Sequence, residues 1–288
     1  MHKYGAGIMA DEKSPFREKD LGPLGHLVEY PCTYTPSLLH AIDRADARAR
    51  SGIEQARDLH GEDLWTGYEF SWLNTDGKPV VAGLRIRVPC QSSAMVESKS
   101  LKLYLNSFTQ TKFENQAEVL RTLDQDLTLA FHSAIMIELL ELSQLAAPVQ
   151  SMAGICLDDL DIRTQVYERD PSSLATEEGD LVVNESFHTH LFRSLCPVTA
   201  QPDWASVSIE YRGAPIEREG LLKYLISYRT HQAFHETTIE QIYFDIWTCC
   251  QTQSLAVYGR FQRRGGLDIN PFRASNEGSA PLIRLPRQ

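Results

Sequence analysis

Apolar and polar side chains alternate along the chain from residue 64 onward, which is the spacing of a half-buried strand. The alternation covers 65–73 and 80–88, and Asp76-Gly77 between them is typical of a tight hairpin turn. Apolar residues then recur at helical spacing over 115–141. These patterns predict a strand pair followed by a helix that packs against it.

A second set of the same patterns follows. Strands are predicted at 181–183, 188–195, 206–211 and 254–262, with a helical stretch over 221–248 before the last one. Matching residues 120 positions apart indicate a repeat: Tyr104 and Tyr224, Leu105 and Leu225, Ser107 and Ser227, and Phe108 and Tyr228. Two copies of one antiparallel α+β unit are the simplest explanation.

The sequence divides into three parts. Residues 1–63 are an N-terminal extension, 64–160 hold the first copy of the repeat, and 161–288 hold the second. Within the extension, arginine and aspartate alternate over 43–50 with little apolar face, so this stretch is predicted to be a solvated helical surface. The acidic stretch 158–180 lacks the spacing of a calcium loop and is predicted to be a solvated crossing between the copies.

Composition narrows the class of protein. With 288 residues, 42% of them hydrophobic, the chain can bury a substantial core. The sequence shows no apolar run long enough to cross a membrane and no apolar signal core, and its six cysteines form no CxxC pair, so we expect a cytoplasmic protein. A formal net charge of −10 disfavours direct contact with nucleic acid or an anionic membrane, so an anionic ligand requires a local cluster of cations.

The most distinctive short stretch is 194–204, in which Cys196 and Asp203 each adjoin a proline. The prolines fix φ and remove backbone donors, which predicts an ordered loop followed by a strand. A free thiol is mainly protonated at neutral pH, so a nucleophilic Cys196 needs a proton acceptor. Asp203, folded back onto the sulfur, is a candidate for that base. A buried, inert cysteine before a turn is the alternative.

Two clusters of cations are candidate sites for an anionic ligand. Lys99 and Lys102 are on one side of a helical turn, with Ser98 and Ser100 beside them. The stretch 263–268 places two arginines before a Gly-Gly pair that lets a ligand approach the backbone closely. The alternative for the first cluster is a helix start with solvated lysines, and the alternative for the second is a hairpin turn with exposed arginines.

Histidines supply a third group of candidates. His231 and His235 are at helical spacing, and Glu236 follows the second one. This order does not match an HExxH or HxxEH zinc motif. Two other interpretations stay open: Glu236 recognises a purine-like base while His235 supplies a proton, or the histidine simply caps a helix or packs in the core. A zinc site formed by His188, His190 and Cys196 is a further alternative, but the sequence gives it little support.

Taken together, four motifs resemble those of the NADPH-dependent 7-cyano-7-deazaguanine reductases, the nitrile reductases of queuosine biosynthesis, in their long two-module bacterial form. They are Glu-Ser-Lys-Ser-Leu-Lys at 97–102, Cys196 with Asp203, Phe234-His235-Glu236, and the stretch 263–271 that begins Arg-Arg-Gly-Gly. The resemblance runs from about 64 to 273, and the 97–102 motif is its most specific part. It implies an α+β fold of two tandem tunnel-fold (T-fold) modules, with antiparallel sheets and helices packed on one face.

The resemblance also implies a role for each motif residue. Catalysis falls to Cys196, Asp203 and His235. Substrate recognition falls to Val96, Glu97, Ser98, His235 and Glu236. NADPH binding falls to Ser98, Lys99, Arg264 and Gly265. No metal is implied, and no GxGxxG follows a strand, so a Rossmann domain is not expected.

By the same resemblance, Cys196 attacks the nitrile carbon of 7-cyano-7-deazaguanine to form a thioimidate, whose C=N accepts hydride more readily than the nitrile does. Two NADPH molecules in turn then give 7-aminomethyl-7-deazaguanine. The implied partners are this substrate and further copies of the chain, in a homodimer or larger homo-oligomer. Two alternatives stay open: a zinc-dependent cyclohydrolase of the same fold class, related to GTP cyclohydrolase I, and a non-catalytic purine-binding module.

Overall fold

A computed structural model of the protein describes residues 30–53 and 59–288. Much of the predicted N-terminal extension, residues 1–29 and 54–58, lies outside the described residues. Within the described ranges, no helix is long and apolar enough to cross a membrane.

Strands and helices alternate in two successive groups. The strands are β1 (Ala41–Asp43), β2 (His60–Leu73), β3 (Pro79–Pro89), β4 (Ala94–Val96), β5 (Met136–Leu140), β6 (Ile155–Cys156), β7 (Val183–Thr189), β8 (Arg193–Leu195), β9 (Pro202–Gly213), β10 (Ser254–Phe261) and β11 (Leu267–Ala274). The helices are α1 (Arg44–Arg50), α2 (Ser98–Asn106), α3 (Gln116–Phe131), α4 (Arg218–Ser227) and α5 (His235–Cys250).

One sheet joins both groups. Its strand order is β5-β3-β2-β11-β10-β9-β7-β6, with β8 also paired to β9. Every pair in it is antiparallel except β6 with β7. The last strand, β11, lies between β10 and β2, in register from Leu267 opposite Gly67 to Ala274 opposite His60. The C-terminal strand therefore fuses the two groups into a continuous sheet.

The helices cover one face of this sheet. In β9, Val207 and Ile209 pack into a core with residues of α4 and α5, whereas Glu210 is on the opposite face and exposed. A second core beneath α2 and α3 contains Leu84 and Ile86 of β3. The expected α+β class, with antiparallel strands and helices, is confirmed.

The two groups repeat the same order of elements. The series β2, β3, α2, α3, β5 corresponds to β7, β9, α4, α5, β10, and the strands pair in the same order within each series. The helices are also joined alike: the Tyr104 hydroxyl donates to Asp126 at 2.7 Å, and the Tyr224 hydroxyl donates to Asp245 at 2.6 Å. The repeat at 120 residues therefore has a structural counterpart.

Two helix boundaries differ from the sequence prediction. The helix predicted to reach residue 141 ends at Phe131, because His132 adopts a left-handed conformation (φ 49°), and β5 then pairs with β3. The single helical stretch predicted over 221–248 is broken at 228–234, between α4 and α5. In both places apolar spacing continues across the break, so periodicity alone does not reveal it.

One face of helix α1 joins a buried ion network, so the predicted solvated surface over 43–50 is wrong for Arg44 and Arg48, whereas Ala45, Asp46 and Ala49 are exposed. Arg44 is 2% exposed and donates to Asp63 at 2.8 Å. Glu240 of α5 accepts from Arg48 at 2.8 Å and from Arg273 of β11 at 2.9 Å. The sequence shows these charges but not their partners, which are distant along the chain. Removing one member of such a buried network costs about 3–5 kcal/mol.

Candidate active site

A cavity of about 570 Å³ lies where the two groups of elements meet. It is bounded by the first turn of α2, the loop 196–201, the first turn of α5 and the turn 262–266. The sequence-predicted site residues that line it are Val96, Ser98, Lys99, Cys196, Asp203, His235, Glu236, Arg264 and Gly265. Other cavities of about 580 and 680 Å³ exist among the described residues, but neither is lined by a cysteine or a histidine.

Cys196 begins a tight loop between β8 and β9. Its backbone N–H donates to Gln201 O at 2.9 Å, and its carbonyl accepts from Ala200 N at 3.1 Å. Ala200 closes the loop in the left-handed region, at φ 52°. The ordered loop followed by a strand is as predicted, but β9 begins at Pro202 rather than at 206, because a proline is tolerated as the first residue of a strand. This geometry places the thiol on the cavity wall.

Asp203, the second residue of β9, is held by two basic side chains. Its Oδ1 pairs with Arg264, and its Oδ2 is 3.3 Å from His235 Nε2. Burial by itself would raise the pKa of Asp203, but the charges and hydrogen bonds of His235 and Arg264 outweigh burial and lower the pKa below its ordinary value. Asp203 is therefore an ionised carboxylate within the site.

His235 is fixed by stacking and by this carboxylate. Its ring lies parallel to that of Phe261, with centroids 3.8 Å apart, and its Nδ1 is buried with no hydrogen-bond partner among the described residues. The predicted helical face shared by His231 and His235 is wrong, because α5 begins only at His235. Sequence reasoning also missed Phe261, which no motif contains.

Glu236 is buried one residue into α5, on the same cavity wall. Burial, followed by the negative charge of Asp63, raises the pKa of Glu236 to about 7. The folded protein thus keeps a carboxyl group that exchanges its proton near neutral pH. A group of this kind is able to accept from the N–H donors of a heterocycle when ionised.

Helix α2 presents its first turn to the cavity. Glu97, a predicted substrate-binding residue, is not on the cavity wall; its carboxylate accepts from Lys99 N at 2.6 Å and Ser100 N at 2.8 Å and so caps the helix. Lys102 does line the cavity, one turn from Lys99. Burial lowers the pKa of Lys102, and the charge of Arg264 lowers it further. The spacing of the two lysines signalled this residue, but the predicted cofactor site omitted it.

The turn between β10 and β11 brings Arg264 to the cavity. Gly265 and Gly266 have φ of 60° and 80°, and Arg264 N donates to Leu267 O at 2.8 Å. Two consecutive positive φ angles characterise a two-residue hairpin turn that strongly prefers glycine. A Cβ at Gly265 would be 3.2 Å from Lys102 Cδ, so glycine also permits the turn to approach α2.

Comparisons with known proteins match most of the chain. The family model described as nitrile reductase, 7-cyano-7-deazaguanine-reductase N-term, matches residues 30–139, and a model described as QueF-like protein matches residues 202–280. An NADPH-dependent 7-cyano-7-deazaguanine reductase of Dechloromonas aromatica is 50% identical over 263 residues, covering 90% of this chain and 92% of the relative. A protein of the same name from Azoarcus sp. is 45% identical and covers 93% of this chain and 95% of the relative.

A solved structure is also similar in sequence. The archaeosine synthase QueF-Like in the apo form is 22% identical and covers 36% of this chain and all of its own, with a TM-score of 0.29, which is too low to support an argument about the fold. The relatives from Dechloromonas and Azoarcus, by contrast, match nearly end to end. On that identity and coverage, the chain belongs to the family of NADPH-dependent 7-cyano-7-deazaguanine reductases.

Proposed function

We propose that this protein reduces the nitrile of 7-cyano-7-deazaguanine to the aminomethyl group of 7-aminomethyl-7-deazaguanine, at the expense of two NADPH, in queuosine biosynthesis. The names of the end-to-end relatives support the overall reaction. The observation that carries the chemistry is the cavity itself, which is lined by a thiol, an ionised carboxylate with its histidine, and two lysines.

Cys196 serves as the nucleophile. A nitrile is a poor hydride acceptor, and addition of a thiol converts it to a C=N bond that is reduced more easily. The sulfur–carbon bond forms while the thiol proton is passed on and the nitrile nitrogen gains a proton, which gives a thioimidate. After the first reduction the sulfur–carbon bond breaks, the thiol is regenerated, and an imine remains for the second reduction.

Asp203 and His235 move the protons. Asp203 accepts the thiol proton as Cys196 attacks, and His235, 3.3 Å from the same carboxylate, donates to the developing nitrogen. The pairing of Asp203 with Arg264 keeps the carboxylate ionised in the free protein but also makes it a weaker base. Contact between Arg264 and an anionic ligand would compete with this pairing and strengthen the base.

The heterocycle is held on the α5 side of the cavity. Ionised Glu236 accepts from ring N–H donors, and the ring of His235, stacked on Phe261, forms a rigid wall beside it. Val96, Glu97 and Ser98 complete the proposed substrate site; Glu97 contributes by fixing the first turn of α2. A protonated Glu236 would present an O–H donor to the N–H donors of the heterocycle. Binding therefore favours the ionised form of Glu236.

The residues at the α2 side fit NADPH. Lys99 and Lys102 of α2 and Arg264 of the opposite turn provide positive charge in a chain of net charge −10. Ser98 adds a hydroxyl donor, and Gly265 lets a ligand approach the backbone. Two buried polar atoms of residues that line the cavity, Trp65 Nε1 and His235 Nδ1, have no hydrogen-bond partner among the described residues. Each NADPH would supply one hydride when bound, so two molecules must bind in turn.

The architecture that accompanies this function is two tandem T-fold modules, 64–160 and 161–288, after an extension of residues 1–63. The repeated order of elements, and the shared Tyr–Asp contacts of α2–α3 and α4–α5, support this division. The extension contacts the first module through Arg44, which donates to Ser92, and the second module through Arg48, which donates to Glu240. We further propose that the chain assembles into a homodimer or larger homo-oligomer.

The proposed reaction is tested by measuring NADPH oxidation and amine formation together. Purified protein is mixed with 7-cyano-7-deazaguanine and NADPH, and the loss of NADPH absorbance is compared with the amine formed. We expect two NADPH oxidised per amine, and loss of turnover in Cys196→Ala. Cys249→Ser, which changes an exposed cysteine outside the cavity, serves as the matched control and should keep full activity. Amine formation by Cys196→Ala at the normal rate, or no NADPH oxidation by the unmodified protein, would contradict the proposal.

A further inference from the structure

A second cluster of reactive side chains lies at the far edge of the sheet. The sulfur of Cys156 and a ring nitrogen each of His188 and His190 are all within 4.8 Å of one another. Strand register explains the grouping, since Cys156 of β6 is opposite His188 of β7. None of these residues lines the active-site cavity, and the zinc set considered from the sequence, with Cys196, is replaced by one with Cys156.

Hydrogen bonds already orient both imidazoles. His188 Nδ1 is 3.0 Å from the Ala153 carbonyl, which can only accept, so Nδ1 carries the proton and Nε2 has its lone pair free. His190 Nδ1 is 2.8 Å from Ser206 Oγ, which leaves its Nε2 free as well. Histidines that bind metals typically donate their other ring N–H to a carbonyl or similar acceptor in this way.

The backbone around Ala153 is shaped to provide that carbonyl. Gly154 has a φ of 84°, and a Cβ there would be 2.2 Å from Ser186 O on β7. Only glycine allows the chain before β6 to approach β7 so closely. The acceptor for His188 is thus fixed by the fold and not by a mobile side chain.

The surrounding charges do not oppose a cation. Asp158 accepts from Thr189 Oγ1 at 2.6 Å and from His190 N at 3.1 Å, whereas Arg287 donates to the His190 carbonyl at 2.9 Å. One anion and one cation therefore flank the cluster.

We propose that Cys156 Sγ, His188 Nε2 and His190 Nε2 bind a divalent transition-metal ion of the zinc class, with a water molecule as the fourth ligand. One thiolate and two imidazoles suit zinc, and the Cys156 thiol releases its proton when the metal–sulfur bond forms. In a tetrahedral site the ligand atoms are roughly 3.3–3.8 Å apart, given bonds of about 2.0–2.3 Å. The three ligand atoms lie within 4.8 Å of one another, and Cys156 is exposed, so its side chain has room to turn toward the two imidazoles. Such an ion would fasten the short edge strand β6 to β7.

The test uses cobalt as a spectroscopic substitute for zinc. Full-length protein is freed of metal with a chelator and titrated with Co²⁺. We expect one Co²⁺ per chain with visible bands of tetrahedral geometry and a near-ultraviolet charge-transfer band from a thiolate, and we expect Zn²⁺ to displace it. Cys156→Ser should abolish the charge-transfer band, and His190→Asn should weaken binding by roughly tenfold or more.

Matched variants locate the thiolate. Cys249→Ser and Cys196→Ala should leave the cobalt spectrum unchanged, because neither residue belongs to the cluster. Circular dichroism confirms that each variant is folded before titration, and Zn²⁺ should raise the Tm of the unmodified protein but not of Cys156→Ser. The proposal is overturned if no thiolate band appears, if Cys156→Ser keeps it, or if Cys196→Ala loses it.

Discussion

Helices α2 and α4 are equivalent elements of the repeat, yet only α2 serves the cavity. Both follow a capping position occupied by glutamate, Glu97 and Glu217, and both end with a serine hydroxyl that donates to a tyrosine carbonyl at 2.6 Å. Their first turns differ. At the positions of Lys99 and Lys102, α4 has Glu219 and the buried Leu222.

The surroundings of the two first turns differ as well. The Glu97 side chain caps α2, whereas Glu217 makes no side-chain cap on α4. A Cβ at Gly220 would be 2.3 Å from Ser173 O, because the segment before β7 covers the start of α4. The two halves therefore share the contacts that join their helices, and the cavity is lined by α2, whose first turn differs from that of α4.

Apart from the loss of turnover expected for Cys196→Ala, the largest effect is expected from Asp203→Asn, which removes the proposed base that the second half supplies. We expect kcat to fall by roughly 10²–10³-fold, as for other general bases, with substrate affinity retained.

Arg264→Gln tests whether Asp203 is that base. The substitution removes a charge that lowers the pKa of Asp203, so the acidic limb of the pH profile of kcat/KM should move to higher pH. An unshifted acidic limb would contradict the coupling of these two residues.

The next largest effect is expected from Lys102→Leu, which gives α2 the residue that α4 has at the equivalent position, Leu222. Loss of one charged hydrogen bond to a phosphate should lower kcat/KM for NADPH by about 10–100-fold, while KM for the nitrile changes little. Lys223→Leu on α4 is the control and should have no such effect. If both variants behave alike, the difference between the two helices does not bear on the cofactor.

A smaller effect is expected on stability from Glu236→Gln. The pKa of Glu236 is about 7 in the folded protein, whereas the ordinary value is 4.5. The folded protein therefore keeps this proton over a range in which the unfolded chain has lost it, so the free energy of unfolding falls as the pH rises from 4.5 to 7. Well above pH 7 the substitution should raise Tm by several degrees, and below 4.5 it should not. Glu219→Gln, at an exposed position of α4, should show no pH-dependent difference. A constant Tm offset at all pH values would exclude titration of Glu236 as the cause.

The smallest effects should be similar in the two halves. Tyr104→Phe and Tyr224→Phe each remove a hydroxyl that donates to an aspartate, and each aspartate keeps another donor, Tyr34 or Arg169. Tyr104→Phe should therefore lose about 1 kcal/mol of unfolding free energy in denaturant titrations, and Tyr224→Phe somewhat more, because its hydroxyl also hydrogen-bonds the Tyr228 hydroxyl at 2.9 Å. A loss several times larger in one half would show that the two halves share the order of their elements but not the contribution of the Tyr–Asp contact to stability.

Local chemistry made much of the site predictable from sequence. Prolines and paired glycines specify the loop around Cys196 and the turn that carries Arg264, and the spacing of Lys99 and Lys102 specifies their common helix face. Contacts that depend on distant pairing could not be predicted in this way. The stacking of Phe261 on His235, the burial of Arg44 and the pairing of Cys156 with His188 all depend on sheet register. Strand β5 was misread because tertiary pairing with β3 outweighs its helical spacing.

The covalent step is tested most directly by the intact mass of the protein. Incubation with 7-cyano-7-deazaguanine in the absence of NADPH should increase the mass by one substrate molecule, and NADPH added afterwards should restore the original mass. Cys196→Ala should remain unmodified under the same conditions. An unmodified mass for the native chain, measured while it still reduces the nitrile, would contradict the assignment of Cys196 as the nucleophile.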